Sequence, residues 1–304
     1  MTEIAIPLQA NVNNIGYIDA HGLEELWFHT GTACNLACPF CLEGSKPGDN
    51  RLQRITVEDA VPFIDEAVTL GVKQFSFTGG EPFIVKDFIN ILDYASRQRP
   101  CLVLTNGTEP VIKRIQAIST LANNPFPIHF RVSLDYPDMK QHDAGRGPAS
   151  FHKAIHGMRL LHKSGFSLSV ARQMSKDEDK ARVEQSYRRL FLSNGLPADL
   201  PLVAFPDFLI PRSTADVPQI TEQCMIDYQN KESRKTFMCA YSRMIVKQKQ
   251  DGKMRVYACT LVDDDPFYDL GGSLADSIRK RVYLKHHRCY SCFAFGASCS
   301  ERAS

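Results

Sequence analysis

No apolar run in the 304 residues reaches the roughly 18 that a membrane-spanning helix needs, so an α-helical membrane protein is excluded. A basic leader followed by a continuous apolar segment is also missing. The opening stretch carries Glu3, Asp19 and Glu24 instead, so no signal peptide is expected, and a cytoplasmic, reducing setting is the expectation. Charge of one sign is lacking: 36 basic residues face 34 acidic ones, a net +2 that gives no general electrostatic grip on nucleic acid. There is no low-complexity tract and no internal repeat beyond the alternation described below. With 43% hydrophobic, 23% charged and 10% aromatic residues the composition is that of an ordinary globular chain, which excludes wholesale disorder and fibrous classes. The length supports one large domain, or one large and one small.

Cysteine is in excess. Ten occur, too many for idle core packing, and a reducing setting disfavours disulfides, so metal or redox chemistry leads. Cys34, Cys38 and Cys41 sit within eight residues. Cys101 and Cys224 stand apart, and Cys239, Cys259, Cys289, Cys292 and Cys299 crowd the last quarter. Two separate sites are expected.

Short apolar runs alternate with helical periodicity from residue 24 to about 205, the pattern of repeated βα units. The strand candidates are Leu26 to His29, Gln74 to Phe77, Cys101 to Leu104, His129 to Leu134, Leu168 to Ala171 and Leu202 to Phe205. Between them lie five helical segments. In the first, Thr56 and Asp59 resemble a capping pair, Val57, Val61, Ile64 and Val68 share a face, and Gly71 stops the helix. Strands separated by helices run parallel, so the fold class is α/β, an open or partial βα barrel. Pro206, Pro211 and Pro218 then break the pattern. Beyond them Tyr241 to Lys249 and Lys253 to Cys259 flank Gln250-Asp251-Gly252, a hairpin signal, and a short helix is expected from Ser273 to Tyr283. This tail has few apolar residues and is expected to need a staple, which its cysteines can supply.

Cys34-Asn35-Leu36-Ala37-Cys38-Pro39-Phe40-Cys41 places three thiols in one loop directly after the first strand. Soft thiolates suit zinc or iron-sulfur clusters. A structural zinc site normally takes a fourth protein ligand, whereas three thiolates on a four-iron cluster leave one iron open. Barrel enzymes place their chemistry on the loops after the strands.

The spacing C-x3-C-x2-C, with Phe40 before the last cysteine, resembles the cluster loop of the radical S-adenosylmethionine enzymes. Further pieces match in the family's order: Gly79-Gly80-Glu81-Pro82 after the second strand, Thr105-Asn106-Gly107 after the third, Ser133-Leu134-Asp135 at the fourth, and Arg146-Gly147 with Ser150-Phe151 before the next helix. The resemblance covers about residues 22 to 205. It implies a partial (βα)6 TIM-like barrel carrying a four-iron cluster on Cys34, Cys38 and Cys41. It also implies S-adenosylmethionine held near Gly79, Gly80, Glu81, Asn106, Ser133 and either Arg146 or Arg172. Arg172 interrupts an apolar strand, and a buried cation needs an anion, which the cofactor's carboxylate can provide.

In the tail, Cys239, Gly252, Cys259, Leu270-Gly271-Gly272 and Cys289-x2-Cys292 resemble a twitch domain, a shortened relative of the SPASM domain, which implies a second, auxiliary four-iron cluster in a small α+β iron-sulfur domain. Zinc is the alternative occupant. The implied domains are an extension over 1–21, the barrel over 22–215 and the auxiliary domain over 216–304. Cys299 replaces Cys292 or stays a free thiol, and Cys224 is unplaced. Cys101 reads as a small buried hydrophobe. His286-His287 and Asp263-Asp264-Asp265 read as solvated by default, with gripping a substrate amino group the alternative for the aspartates. His142 and Asp143 face the active end of the barrel. No residue is singled out as general base.

The implied activity is reductive cleavage of S-adenosylmethionine to a 5'-deoxyadenosyl radical and hydrogen abstraction from substrate, giving net oxidation or a new bond. An electron donor such as flavodoxin or ferredoxin is implied. A small metabolite is preferred over a peptide or protein substrate, because 22 leading residues cannot supply a peptide-recognition domain. A zinc-stapled structural or nucleic-acid-binding module is the alternative of another class.

Overall fold

The computed structural model describes residues 14–173, 178–205 and 216–295. A short strand β1 (Tyr17–Ile18) leads to β2 (Glu25–His29). The βα alternation then runs through α1 (Val57–Thr69), β3 (Gln74–Thr78), α2 (Phe88–Ser96), β4 (Cys101–Thr105), α3 (Glu109–Ser119) and β5 (Ile128–Ser133). It continues through α4 (Met139–Arg146), α5 (Ser150–Lys163), β6 (Ser167–Gln173), α6 (Lys180–Ser193) and β7 (Leu202–Phe205). All six expected strands form, and β2 to β7 are parallel neighbours in chain order, the partial TIM-like barrel expected of this alternation. Helix α4 has no counterpart among the five expected helical segments: its eight residues carry little apolar periodicity, and only His142 is buried.

Three short helices follow, α7 (Glu222–Asp227), α8 (Lys231–Arg234) and α9 (Met238–Tyr241). The expected hairpin comes next as β8 (Ser242–Lys247) and β9 (Met254–Tyr257). Strand β8 pairs in parallel with β2, so the barrel sheet continues into the C-terminal region in the order β7-β6-β5-β4-β3-β2-β8-β9. Hairpin chemistry fixes the β8–β9 partnership but says nothing of which barrel strand the hairpin joins. Helix α10 (Leu274–Arg279) is shorter than expected because the chain leaves it for β10 (Val282–Tyr283), which pairs with β1 and ties the start of the described chain to its end. Helix α11 (Cys289–Phe295) closes it. Pro206, Pro211 and Cys299 lie outside the described residues, as does the expected domain boundary at 215.

Strand alternation sorts the core. Leu26, Phe28, Phe75, Phe77, Val103 and Phe130 point into the layer under the helices. The intervening Trp27, Leu102, Met244 and Val246 pack on Tyr241, Tyr257, Leu261 and Tyr268 from the C-terminal region. Helix α1 begins with the predicted cap: the Thr56 hydroxyl accepts from the Asp59 amide and the Asp59 carboxylate from the Thr56 amide. Its buried residues are Ala60, Ile64 and Ala67 rather than the whole valine stripe, since small alanines let the helix approach the sheet. No helix among the described residues is long and apolar enough to cross a membrane.

Candidate active site

After β2 the chain turns at Gly31 (φ +116°), and the cysteine loop hangs from a closed base where the Cys34 amide donates to the Lys46 carbonyl at 3.3 Å. The Cys41 amide donates to the Cys38 carbonyl at 3.1 Å and the Gly44 amide to the Cys41 carbonyl at 2.9 Å, curling Cys38 and Cys41 toward the same side. None of the three is in a disulfide. Burial raises all three thiols, Cys34 up to about 12, and Arg146 partly offsets the effect at Cys38. Such thiols lose their protons when they bind a metal. Three soft thiolates in one loop suit zinc or an iron-sulfur cluster.

The Gly79-Gly80-Glu81 segment holds this loop in place. The Gly80 amide donates to the Gly31 carbonyl at 2.9 Å and the Glu81 amide to the Ala33 carbonyl at 3.0 Å, one residue before Cys34. A Cβ at Gly80 would meet the Ala33 oxygen at 2.1 Å, and Gly79 sits at φ +131°, so both positions require glycine. Glu81 itself is 0% exposed and does not line the cavity. Its carboxylate accepts from the Asn106 amide (2.8 Å), the Phe83 amide (3.1 Å) and the Thr105 hydroxyl (2.9 Å). Glu81 therefore braces two barrel loops where the sequence reading placed it beside the cofactor. Burial nevertheless lifts its pKa to about 7 against those hydrogen bonds. The Asn106 amide group donates to the Asn35 side chain at 2.9 Å, linking the third loop to the cysteine loop.

Cys34, Cys38, Cys41, Gly79, Gly80, Asn106, Ser133, Arg146 and Arg172 all line one cavity of about 250 Å³ at the C-terminal ends of the strands. Both arginines already hold carboxylates of this chain. Arg146 is paired with Asp135, and Arg172 with Glu178 at 2.9 and 2.6 Å, so the anion required by buried Arg172 is Glu178. Phe40 wedges against Gly145, where a Cβ would lie 2.4 Å from its ring, and sits under the Arg146 guanidinium. Sequence reasoning assigned no role to Trp27, Glu43, Asp135, Phe205, Thr260 or Leu261, which also line the cavity. The available signal was position: Phe205 ends β7 and Asp135 follows β5 by two residues.

Beside the cavity, His29 Nε2 faces Glu43 Oε2 at 3.3 Å and Asp263 Oδ2 at 3.9 Å. Asp263, expected in a solvated loop, is only 4% exposed, because the loop after β9 folds back over the barrel. These three ligand atoms lie close enough for one metal ion, but the Gly31 amide donates to His29 Nδ1 at 3.1 Å, so the ring's proton is on Nε2, where a metal would have to bind. His29 instead hydrogen-bonds Glu43, and Asp263 Oδ2 lies 3.9 Å away without a hydrogen-bond partner among the described residues. Burial raises the pKa of Asp263 well above the usual range, helped by the neighbouring Glu43 carboxylate.

The second cysteine set also comes together. Cys239 lies in α9, Cys259 just beyond β9, and Cys289 and Cys292 one turn apart on α11. Burial raises the Cys239 thiol well above its usual pKa, reinforced by the fields of Cys259, Cys289 and Cys292, and it raises Cys289 to about 12. Cys224 packs against the same apolar cluster as these cysteines. It sits at the start of α7, where hydrogen bonds with Thr221 lower its pKa. Cys101 is buried inside β4.

The family described as the radical SAM superfamily matches residues 28–190, more than half of the chain. The chain belongs to the radical SAM superfamily. It is 30% identical over 135 residues to mycofactocin maturase MftC of Mycolicibacterium smegmatis, covering 44% of this chain and 33% of that protein. It is 28% identical over 148 residues to the AdoMet-dependent heme synthase of Methanosarcina barkeri, covering 47% and 40%. Among solved structures, Streptococcus suis SuiB superposes with a TM-score of 0.60 at 14% identity over 85% of this chain and 66% of that one, a likeness of fold. The chain thus spans between a third and two fifths of the length of these curated relatives. Radical SAM membership implies a four-iron cluster and S-adenosylmethionine, and supports a radical-mediated enzyme. The three thiols on one cavity wall are the soft donor set that such a cluster takes.

Proposed function

We propose that this chain is a radical SAM oxidoreductase in which Cys34, Cys38 and Cys41 hold the four-iron cluster and leave one iron for S-adenosylmethionine. The observation that carries the reading is the common cavity shared by these thiols, the close-approach backbone of Gly79–Gly80, Ser133 and Arg146. When bound, the cluster and cofactor supply an electron and a 5'-deoxyadenosyl radical that takes a hydrogen atom from substrate. The chain's residues supply placement. Gly79 and Gly80 offer backbone with no side chain in the way, Ser133 offers a hydroxyl at the end of β5, and Arg146 keeps a positive charge beside Cys38 and Cys41. Trp27, Phe205 and Leu261 make an apolar wall that limits water, which favours clean hydrogen transfer.

In this reading residues 216–304 form a twitch-like domain whose Cys239, Cys259, Cys289 and Cys292 bind an auxiliary four-iron cluster. That cluster binds substrate or accepts the second electron. The placement of Thr260 and Leu261 on the cavity wall, directly after Cys259, supports the link between the two sites. The reading takes a small metabolite as substrate and flavodoxin or ferredoxin as electron source. The relatives named above include both a maturase and a heme synthase, so a peptide remains the competing substrate class.

Anaerobic reconstitution followed by iron and sulfide analysis tests the reading, together with 5'-deoxyadenosine release under a strong reductant. About eight irons per chain and deoxyadenosine formation are expected, by four-iron cluster arithmetic. Zinc without sulfide overturns it.

A further inference from the structure

We propose that Arg243 is the counter-charge of the C-terminal cysteine site, stabilising the reduced form of the auxiliary cluster and so setting a higher reduction potential than the thiolates alone would give. The inference rests on the auxiliary-cluster reading above. Arg243 lies on β8 in register with Leu26 and is 1% exposed. Among the described residues its guanidinium hydrogen-bonds only to carbonyl oxygens: Nη1 donates to Cys239 O and Ser242 O, both at 2.7 Å, and Nη2 to Ser277 O at 3.1 Å. Nε has no partner. Among the described residues no carboxylate oxygen lies within 4.0 Å of it.

Buried Arg172 and Arg288 each reach a carboxylate, of Glu178 and Asp264, and half-buried Arg146 reaches that of Asp135. A guanidinium keeps its charge in any protein environment, and a buried full charge without a counter-ion is strongly unfavourable. The acidic groups whose fields reach Arg243 are the thiols of Cys239 and Cys259, and it grips the backbone carbonyl of the first. Neutral thiols would leave the cation alone in the core. Four thiolates on an iron-sulfur cluster make the site anionic, and reduction adds one further negative charge. A fixed cation beside the site favours that more negative state, which raises the potential.

The test uses the full-length chain with Cys34, Cys38 and Cys41 replaced by alanine, so that only the C-terminal centre remains. After anaerobic reconstitution, iron is counted and the midpoint potential is read by EPR-monitored titration for Arg243, Arg243→Lys and Arg243→Gln. Arg243→Gln is expected to move the midpoint to lower potential, by at least a tenfold change in the oxidised-to-reduced ratio at fixed potential, or 59 mV for one electron. Arg243→Lys, which keeps the charge, is expected to stay near the parent. Cluster loss from Arg243→Gln but not from Arg243→Lys also supports the charge role. An unchanged midpoint in Arg243→Gln at full iron content overturns it, and so does cluster loss from both variants, which would make the residue a guanidinium clamp on three carbonyls. If the parent with the three substitutions holds no iron-sulfur cluster, the auxiliary-cluster reading fails first and takes this inference with it.

Discussion

Arg146 donates to both oxygens of Asp135, Nε to Oδ2 at 2.5 Å and Nη2 to Oδ1 at 3.0 Å, while its guanidinium lies 5.6 Å from the centre of the Phe40 ring. One side chain thus joins the end of β5, the end of α4 and the residue preceding Cys41. The pair stands where the cysteine loop meets the barrel mouth, and its strength depends on planar bidentate geometry.

Breaking that pair should be costly. Asp135→Asn is expected to destabilise the chain by about 1.5 to 3 kcal/mol, because it leaves a half-buried guanidinium without its anion. Arg146→Lys should recover only part of the loss from Arg146→Ala. Denaturant midpoints of the three variants check this, and equal stability of Asp135→Asn and wild type would contradict it.

Gly80→Ala should detach the first metal site without touching the second. The added Cβ would sit 2.1 Å from the Ala33 carbonyl oxygen, and backbone rather than a flexible side chain would have to move. Iron per chain is expected to fall by about four, the content of one cubane cluster. Full iron content in this variant would show that the loop is not held as described.

Glu81 makes stability depend on pH. Its carboxyl is raised from 4.5 to about 7 by burial, so between those values the folded chain holds a proton that the unfolded chain releases. The stabilisation is fully present below pH 4.5 and is lost as pH rises through 7, a swing of about 3 kcal/mol at about 1.4 kcal/mol per unit. Glu81→Gln should flatten this decline. Unfolding free energies of the two apoproteins at pH 5 and pH 8 provide the measurement, and parallel profiles would refute the assignment.

Replacing Cys239 and Cys259 by alanine should lower iron from about eight to about four per chain and leave uncoupled 5'-deoxyadenosine formation largely intact. Substrate turnover should disappear. Metal binding contributes folding free energy, so the C-terminal region should also become protease-sensitive. A wild type holding about four irons and one zinc would leave the radical chemistry standing and remove the auxiliary cluster.

Much of the barrel was written locally. Each strand from β2 to β7 is a short apolar run flanked by helical periodicity, and the cap of α1 is two residues three apart, so near neighbours in sequence carried both. The thiols of Cys34, Cys38 and Cys41 were legible for the same reason: one loop of eight residues cannot spread them far. Other features needed the assembled chain. Whether Glu81 faces the cavity or braces Asn106, whether Arg172 meets a ligand or Glu178, and whether Asp263 is solvated or held against His29 all depend on which distant groups folding brings within about 3 to 4 Å. A charge pattern along the chain gives the demand for a partner but not its address. The pairing of β8 with β2 is of the same kind, since about 200 residues separate them and backbone hydrogen bonds carry no sequence label. The sequence by itself determined the kind of chemistry, through residue types at short spacing; only the tertiary structure decided which side chains face the cavity and which hold it together.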